Sequence, residues 1–382
     1  MIWEKSNFIA QSDVWMAYRK AKADLYYERG HPNAFALCEY EENLEGNLAN
    51  LYTRLTGNSL DWMTEETFVG TWSVATKGLD SQGDTEKSFW MPSDPDKAWA
   101  ARCQAIRLKN PKAKPEAEFR LIGVHPIAFH VVSTLWMHKA GHLYDAVLGP
   151  EACGSRLRRK HSGPSEPLRE PNPLSLGTFE PYLHKFSRWR DDGLTAMRNA
   201  LEQGKRVVAI TADVKQFYHH TSPDFLLHPD YLKAVGLPQE FSVDQKRFTK
   251  AIITAIHAWA ERTPLHKMDS AVGLPVGLPA ARLIANVALA ELDKTIKREL
   301  APLYYGRYVD DILLVLEDTR DFVDAKEVWK WIIRRSNGIL KSAKDEKTSV
   351  LMQAKYLGGS VIEFTGSKQK VFLLEADASH NS

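Results

Sequence analysis

Cysteine is scarce. The chain has three, Cys38, Cys103 and Cys153, far apart and in no metal-ligand spacing. An odd count of scattered thiols excludes a disulfide framework and points to a reducing compartment. Long apolar runs are missing too: the longest, such as AFHVVSTLWM, are too short to cross a bilayer. The N-terminal MIWEKSNFIAQSDVW has no apolar core of a signal peptide. A cytoplasmic protein without a membrane partner is expected. No charge of one sign dominates. Lys and Arg number 50 against 48 Asp and Glu, so a nucleic-acid partner has to be argued from local patches. Repeats and low-complexity tracts are lacking as well. What remains is an ordinary globular composition, 44% hydrophobic and 26% charged over 382 residues, with room for several sub-domains.

Along the chain, the first hundred residues read as helical. SDVWMAYRKAKADLYYERG offers Ser12 or Asp13 as a cap, with Gly30 and Pro32 as a stop. FALCEYEENLEGNLANLYTRLTG places Leu44, Leu48, Leu51 and Leu55 on one helical face. DSQGDTEKS and MPSDPDK read as loops. FRLIGVHPIAFHVVSTLWM reads as a short strand and a long helix, and PYLHKFSRWRDDGLTAMRNALEQG as another helix. Strand and helix signals then alternate: VVAITADV, the helices DQKRFTKAIITAIHAWAER and AARLIANVALAELDKTIKREL, the hairpin YYGRYVDDILLVLED, the helix DFVDAKEVWKWIIRR, and short strands in KTSVLM and KYLGGSVI. That order is a split βαβ arrangement, an antiparallel sheet under helices, and the fold class is α+β.

Asp213 closes the first of those strands, and Asp310 and Asp311 stand in the hairpin. In a split βαβ sheet these elements are neighbours, so three carboxylates can meet at one edge. They repel unless a divalent cation compensates them. Hard oxygen ligands suit Mg²⁺ shared with substrate phosphates, and a pair of such ions serves phosphoryl transfer. An exposed Asp-Asp turn is the competing account of the same dipeptide. Basic residues interleaved with aromatics occur in LHKFSRWRDD and basic residues alone in GSRLRRKH (Arg156, Arg158, Arg159, Lys160). Such residues bind phosphate and stack bases, though a solvated helix face explains the first equally well.

Between residues 116 and 362 the chain resembles the reverse transcriptases, motif by motif and in order. TADVKQFYHH resembles the first palm motif, AVGLPVGLPAARLIANVALAELD the second, GRYVDDILLVLED the Tyr-x-Asp-Asp motif, KDEKTSV the lysine-bearing fourth and KYLGGSV the primer-grip turn. The resemblance implies a right-hand polymerase with a ferredoxin-like palm, helical fingers, an N-terminal helical extension and a reduced or absent thumb. It implies boundaries at 1–115 for the extension and start of the fingers, 116–205 for fingers, 206–360 for palm and 361–382 for a short tail. It makes Asp213, Asp310 and Asp311 metal ligands and catalytic, with the Val214 carbonyl completing a site, and Lys347 catalytic at the leaving pyrophosphate, with Lys344 as a rival. Tyr218 becomes the gate that selects deoxynucleotides, while Phe217 packs in the core. Arg120, Gly273, Pro275, Val276 and Gly277 line the nucleotide, and Leu357 and Gly358 join Arg156, Arg158, Arg159 and Lys160 on nucleic acid. Two Mg²⁺ ions, replaceable by Mn²⁺, are the implied cofactors.

Val276 departs from the pattern, standing where most relatives have glutamine. Turns of this kind, and the Pro279-Ala280-Ala281-Arg282 that follows, resemble bacterial defence-associated lineages, the abortive-infection and unknown groups. The expected activity is RNA-directed DNA polymerisation from dNTPs, in antiviral defence, with RNA or DNA, a dedicated non-coding RNA, a second reverse transcriptase or another copy as partners. Retron, group II intron and diversity-generating enzymes are the alternative, and an idle RNA-binding scaffold is another.

Overall fold

The computed structural model describes residues 8–27, 33–80, 100, 103–104, 107–108, 116–160, 170–237, 241–264, 273–343 and 349–375. The N-terminal layer holds α1 (Gln11–Tyr27), α2 (Asn33–Glu42) and α3 (Leu44–Thr56). The stretch read as one helix from Phe35 onward breaks at Asn43, while Leu48, Leu51 and Leu55 are buried as their spacing predicts. Lys20 and Asp24 of α1 fasten this layer to the segment ahead of the palm. Lys20 Nζ donates to the Ser175 and Gly177 carbonyls, both at 3.0 Å, and Asp24 accepts from the Thr178 amide at 3.0 Å.

The N-terminal region is not all helical. Residues Thr71–Asp80 form β1, which pairs antiparallel with β2 (Glu116–Val124) in a two-stranded arm. The alternation in TWSVAT is short, and its partner strand lies far along the chain, with Thr71 opposite Val124. Pairing at that range leaves little local trace. β2 leads into α4 (Ile127–Trp136), which is buried almost all round. The loops expected at DSQGDTEKS and MPSDPDK lie outside the described residues.

The central sheet is built from β3 (Val207–Asp213), β4 (Tyr304–Tyr308), β5 (Asp311–Glu317) and β9 (Lys370–Leu374), in the order β4-β5-β3-β9 and antiparallel throughout. Between β3 and β4 run α6 (Val243–Glu261), α7 (Pro279–Ala288) and α8 (Ala290–Leu300), and α9 (Ala325–Arg335) follows β5. β6 (Leu340–Ser342), β7 (Val350–Met352) and β8 (Ile362–Phe364) make a separate three-stranded sheet. The expected split βαβ order is therefore present, but its fourth strand is β9. Residues 361–375, expected to be tail, contain both β8 and β9. The five residues of β9, KVFLL, carry too short an apolar run to reveal an edge strand without its partner.

Strand alternation gives the sheet two unlike faces. Ile210, Ala212, Ile312 and Leu314 point into the main core against Leu292 and Ile296 of α8 and Trp329 and Ile332 of α9. The other face carries Asp213 and Asp311 at one end. Its lower part, Val207, Leu313 and Val315, is covered by α5 (Tyr182–Glu202) through Trp189, Met197, Ala200 and Leu201. Gly193 permits that close crossing, since a Cβ there would lie 2.2 Å from Leu313 Cδ2. Beyond this cover, at the end of the face, Asp311 is exposed and Asp213 half-buried.

Candidate active site

The register decides which carboxylates meet. Asp213 is the last residue of β3 and Asp311 the first of β5, directly opposite one another. Tyr308 pairs with Asp311 across the hairpin, leaving Val309 and Asp310 as its two turn residues. Val309 has φ +62°, rare for a β-branched residue. Burial, with the Asp213 and Asp311 charges, pushes the Asp310 carboxyl up to about 7, while Arg120 pulls it back. Asp311 is raised as well, by desolvation in the crowded turn and by Asp213, opposed by Lys368.

Past Asp213 the chain is held by the second sheet. Val214 bridges Phe364 and the Lys215 amide donates to Glu363 O at 2.8 Å. The chain then turns through residues 215–220 rather than continuing as a strand, so Phe217 and Tyr218 are separated by turn geometry. Phe217 is buried and Tyr218 half-buried. The segment from Gly273 to Gly277 docks here: the Leu274 amide donates to Tyr218 O at 2.7 Å, and the Gly123 amide to Val276 O at 2.9 Å. His219 Nε2–H reaches Leu121 O at 3.2 Å. Residues scattered in sequence are thus brought near one another: the Gly273–Gly277 segment joins Tyr218 to β2, and Arg120 of β2 is close enough to act on Asp310.

Other expected residues are used differently. Arg156 and Arg159 both grip the fully buried Asp145, at 3.1 and 2.7 Å, and Arg156 also donates to the Gly149 and Leu148 carbonyls. Arg158 donates to Phe179 O at 2.7 Å, and Lys160 pairs with Glu170 at 2.7 Å. This basic run holds its own loop together, which sequence could not show because Asp145 lies on a neighbouring helix. Leu357 is a buried core residue, and Gly358, with φ +55°, forms the turn beside it. Lys344 and Lys347 lie outside the described residues.

Two residues escaped the sequence reading. Lys368, in the turn before β9, pairs with Asp213 Oδ2 at 2.6 Å. Arg307 sits fully buried three positions before Asp310. A lone arginine in the apolar strand YYGRY was its available signal. Lys368 had none, because nothing local tells that β9 returns beside β3.

Among the described residues no three His, Cys, Asp or Glu side chains already converge as a formed metal site, and Asp213 is engaged by Lys368. The donor chemistry nevertheless fits a hard divalent cation. Asp310 and Asp311, raised by burial and then by neighbouring carboxylate charge, would be returned to the ionised state by such an ion.

An antiparallel sheet that brings aspartates together at one end fits the palm of a nucleotidyltransferase. Residues 159–361, more than half of the chain, match the model of the reverse transcriptase (RNA-dependent DNA polymerase) family, and the chain belongs to that family. It is an RNA-directed DNA polymerase, which takes nucleotide substrates and a nucleic-acid template, and its family uses divalent ions such as Mg²⁺. No curated protein matches the chain. Among the described residues no helix is long and apolar enough to cross a membrane.

Proposed function

We propose that this reverse transcriptase adds dNTPs to a 3′ hydroxyl at Asp213, Asp310 and Asp311, in bacterial antiviral defence. The observation that carries the site is the register of Asp213 opposite Asp311, with Asp310 crowded beside both. These carboxylates and the Val214 carbonyl would hold two Mg²⁺, which supply charge compensation at the attacking and leaving oxygens. Tyr218, whose carbonyl accepts from Leu274 of the Gly273–Gly277 turn, would serve as the gate that excludes a ribose 2′-hydroxyl. Arg120, exposed on β2 and close enough to act on Asp310, supplies positive charge for a triphosphate.

The defence setting rests on Val276. Its carbonyl is taken by Gly123 and its side chain is apolar, so the turn offers no polar side-chain contact where most relatives have one. Nucleotide choice would then depend on an added component, a dedicated RNA or a second protein subunit. The test is incorporation of each dNTP by purified protein with Mg²⁺, with and without RNase pretreatment, followed by sequencing of the product. Incorporation abolished by the paired Asp310→Ala and Asp311→Ala changes is expected; none under any condition, or activity that survives both changes, sinks the reading.

A further inference from the structure

Arg307 carries a charge where water does not reach: its side chain and that of Asp293 on α8 are 0% and 2% exposed. Asp293 receives Nε at 2.7 Å and Nη2 at 2.7 Å, and the Asn286 backbone carbonyl of α7 receives Nη2 at 2.8 Å. Nη1 donates to the Asn286 side chain and to Val309 O, the latter at 3.0 Å. A buried ion pair is a weak source of stability compared with apolar packing. Tying β4 to two helices would need only Asp293 and Asn286. The bond to Val309 needs another reason.

Val309 supplies it. A β-branched residue at φ +62° is strained and persists only where its surroundings over-determine it. Arg307 holds its carbonyl. Gly154 lies against its amide, so close that a Cβ on Gly154 would sit 2.9 Å from Val309 N. Asn286 Nδ2 donates to Gly154 O at 2.8 Å, so the residue that orients the guanidinium also places the glycine. The loop is clamped to the outer edge of β4 by Arg307 N to Glu151 O at 2.8 Å and Cys153 N to Arg307 O at 2.9 Å.

We propose that Arg307 is a positioning residue for the catalytic turn: fixed by Asp293 and Asn286, it holds Val309 in the left-handed conformation that sets Asp310 beside Asp213. This rests on the reading of the three aspartates as catalytic. Arg307→Lys keeps the charge for Asp293 but loses the planar fork that reaches Asn286 and Val309 together. The variant should lose about 10- to 100-fold in kcat, as happens when a residue that orients a metal ligand is changed, and need more Mg²⁺ for half-maximal rate. The KM for dNTP should stay within about twofold, because substrate contacts are untouched.

Adding Val309→Gly to Arg307→Lys should recover part of kcat, since glycine takes positive φ at no steric cost. Wild-type kcat and Mg²⁺ requirement in Arg307→Lys would overturn the proposal. So would a loss that tracks the folded fraction in thermal melts and is not relieved by Val309→Gly. If Arg307→Lys does not fold, Gly154→Ala carries the test, because it leaves the ion pair intact and presses on the Val309 amide. The same fall in kcat with a raised Mg²⁺ requirement supports the proposal, and an unchanged enzyme overturns it. Asp311→Ala run in parallel separates the two levels. Activity surviving that change defeats the catalytic reading itself, whereas a dead Asp311→Ala beside a normal Arg307→Lys defeats only this inference.

Discussion

Two charged clusters lie three residues apart on one hairpin and are built on opposite principles. At Asp213, Asp310 and Asp311, like charges crowd at one sheet end, and burial together with the neighbouring charges raises Asp310 and Asp311. Around Arg307, charge is buried and met at once by Asp293, Asn286 and Val309 O. Among the described residues one cluster has more carboxylates than cations beside it, as the proposed binding of divalent ions requires. The other is satisfied from within and serves geometry. On the proposed reading, residues that act are separate from those that hold them, and the turn at Val309 connects the two.

The comparison can be broken at either end. The largest effect is expected at the open cluster: Asp213→Asn should cut kcat by about a thousandfold, the several kcal/mol a metal ligand contributes to the transition state, with little change in thermal stability. Steady-state incorporation assays beside melting curves would show it. At the closed cluster the balance inverts. Asp293→Ala strands the Arg307 charge in the core and should cost about 3–5 kcal/mol of stability in denaturant titrations.

A pH series sharpens the contrast further. In EDTA, Asp310 titrates at about 7 when folded against an ordinary 3.8 when unfolded, so the folded state binds its proton more tightly. That contribution is full below the ordinary carboxylate range and is lost as pH rises through about 7. The melting temperature in EDTA should therefore fall across this window, Asp310→Asn should flatten the fall, and saturating Mg²⁺ should oppose it. Least affected should be a pair of neither kind. Arg188 and Asp192 on α5 are 67% and 53% exposed, and Arg188→Ala should change stability by no more than about 0.5 kcal/mol in the same titrations.

Much of the palm could be read along the chain. The β-branched run before Asp213, the hairpin around Asp310 and Asp311, and the apolar stripe of α7 and α8 are signals within a few turns or residues. Where contacts were distant, the reading stopped short. β1 is strand because of β2, and the helix drawn through Leu289 breaks there into two. Arg156 and Arg159 looked like phosphate ligands until Asp145 was found between them.

By itself, the sequence determined the reactive groups and the local elements that carry them, because alternation and helical spacing are properties of neighbours. Tertiary structure alone decided which groups are compensated. Lys368 reaches Asp213 because β9 returns beside β3, and Arg307 is buried because Asn286 and Asp293 close over it. Whether a charge acts or supports depends on what surrounds it, and that environment is assembled only by residues far apart in the chain.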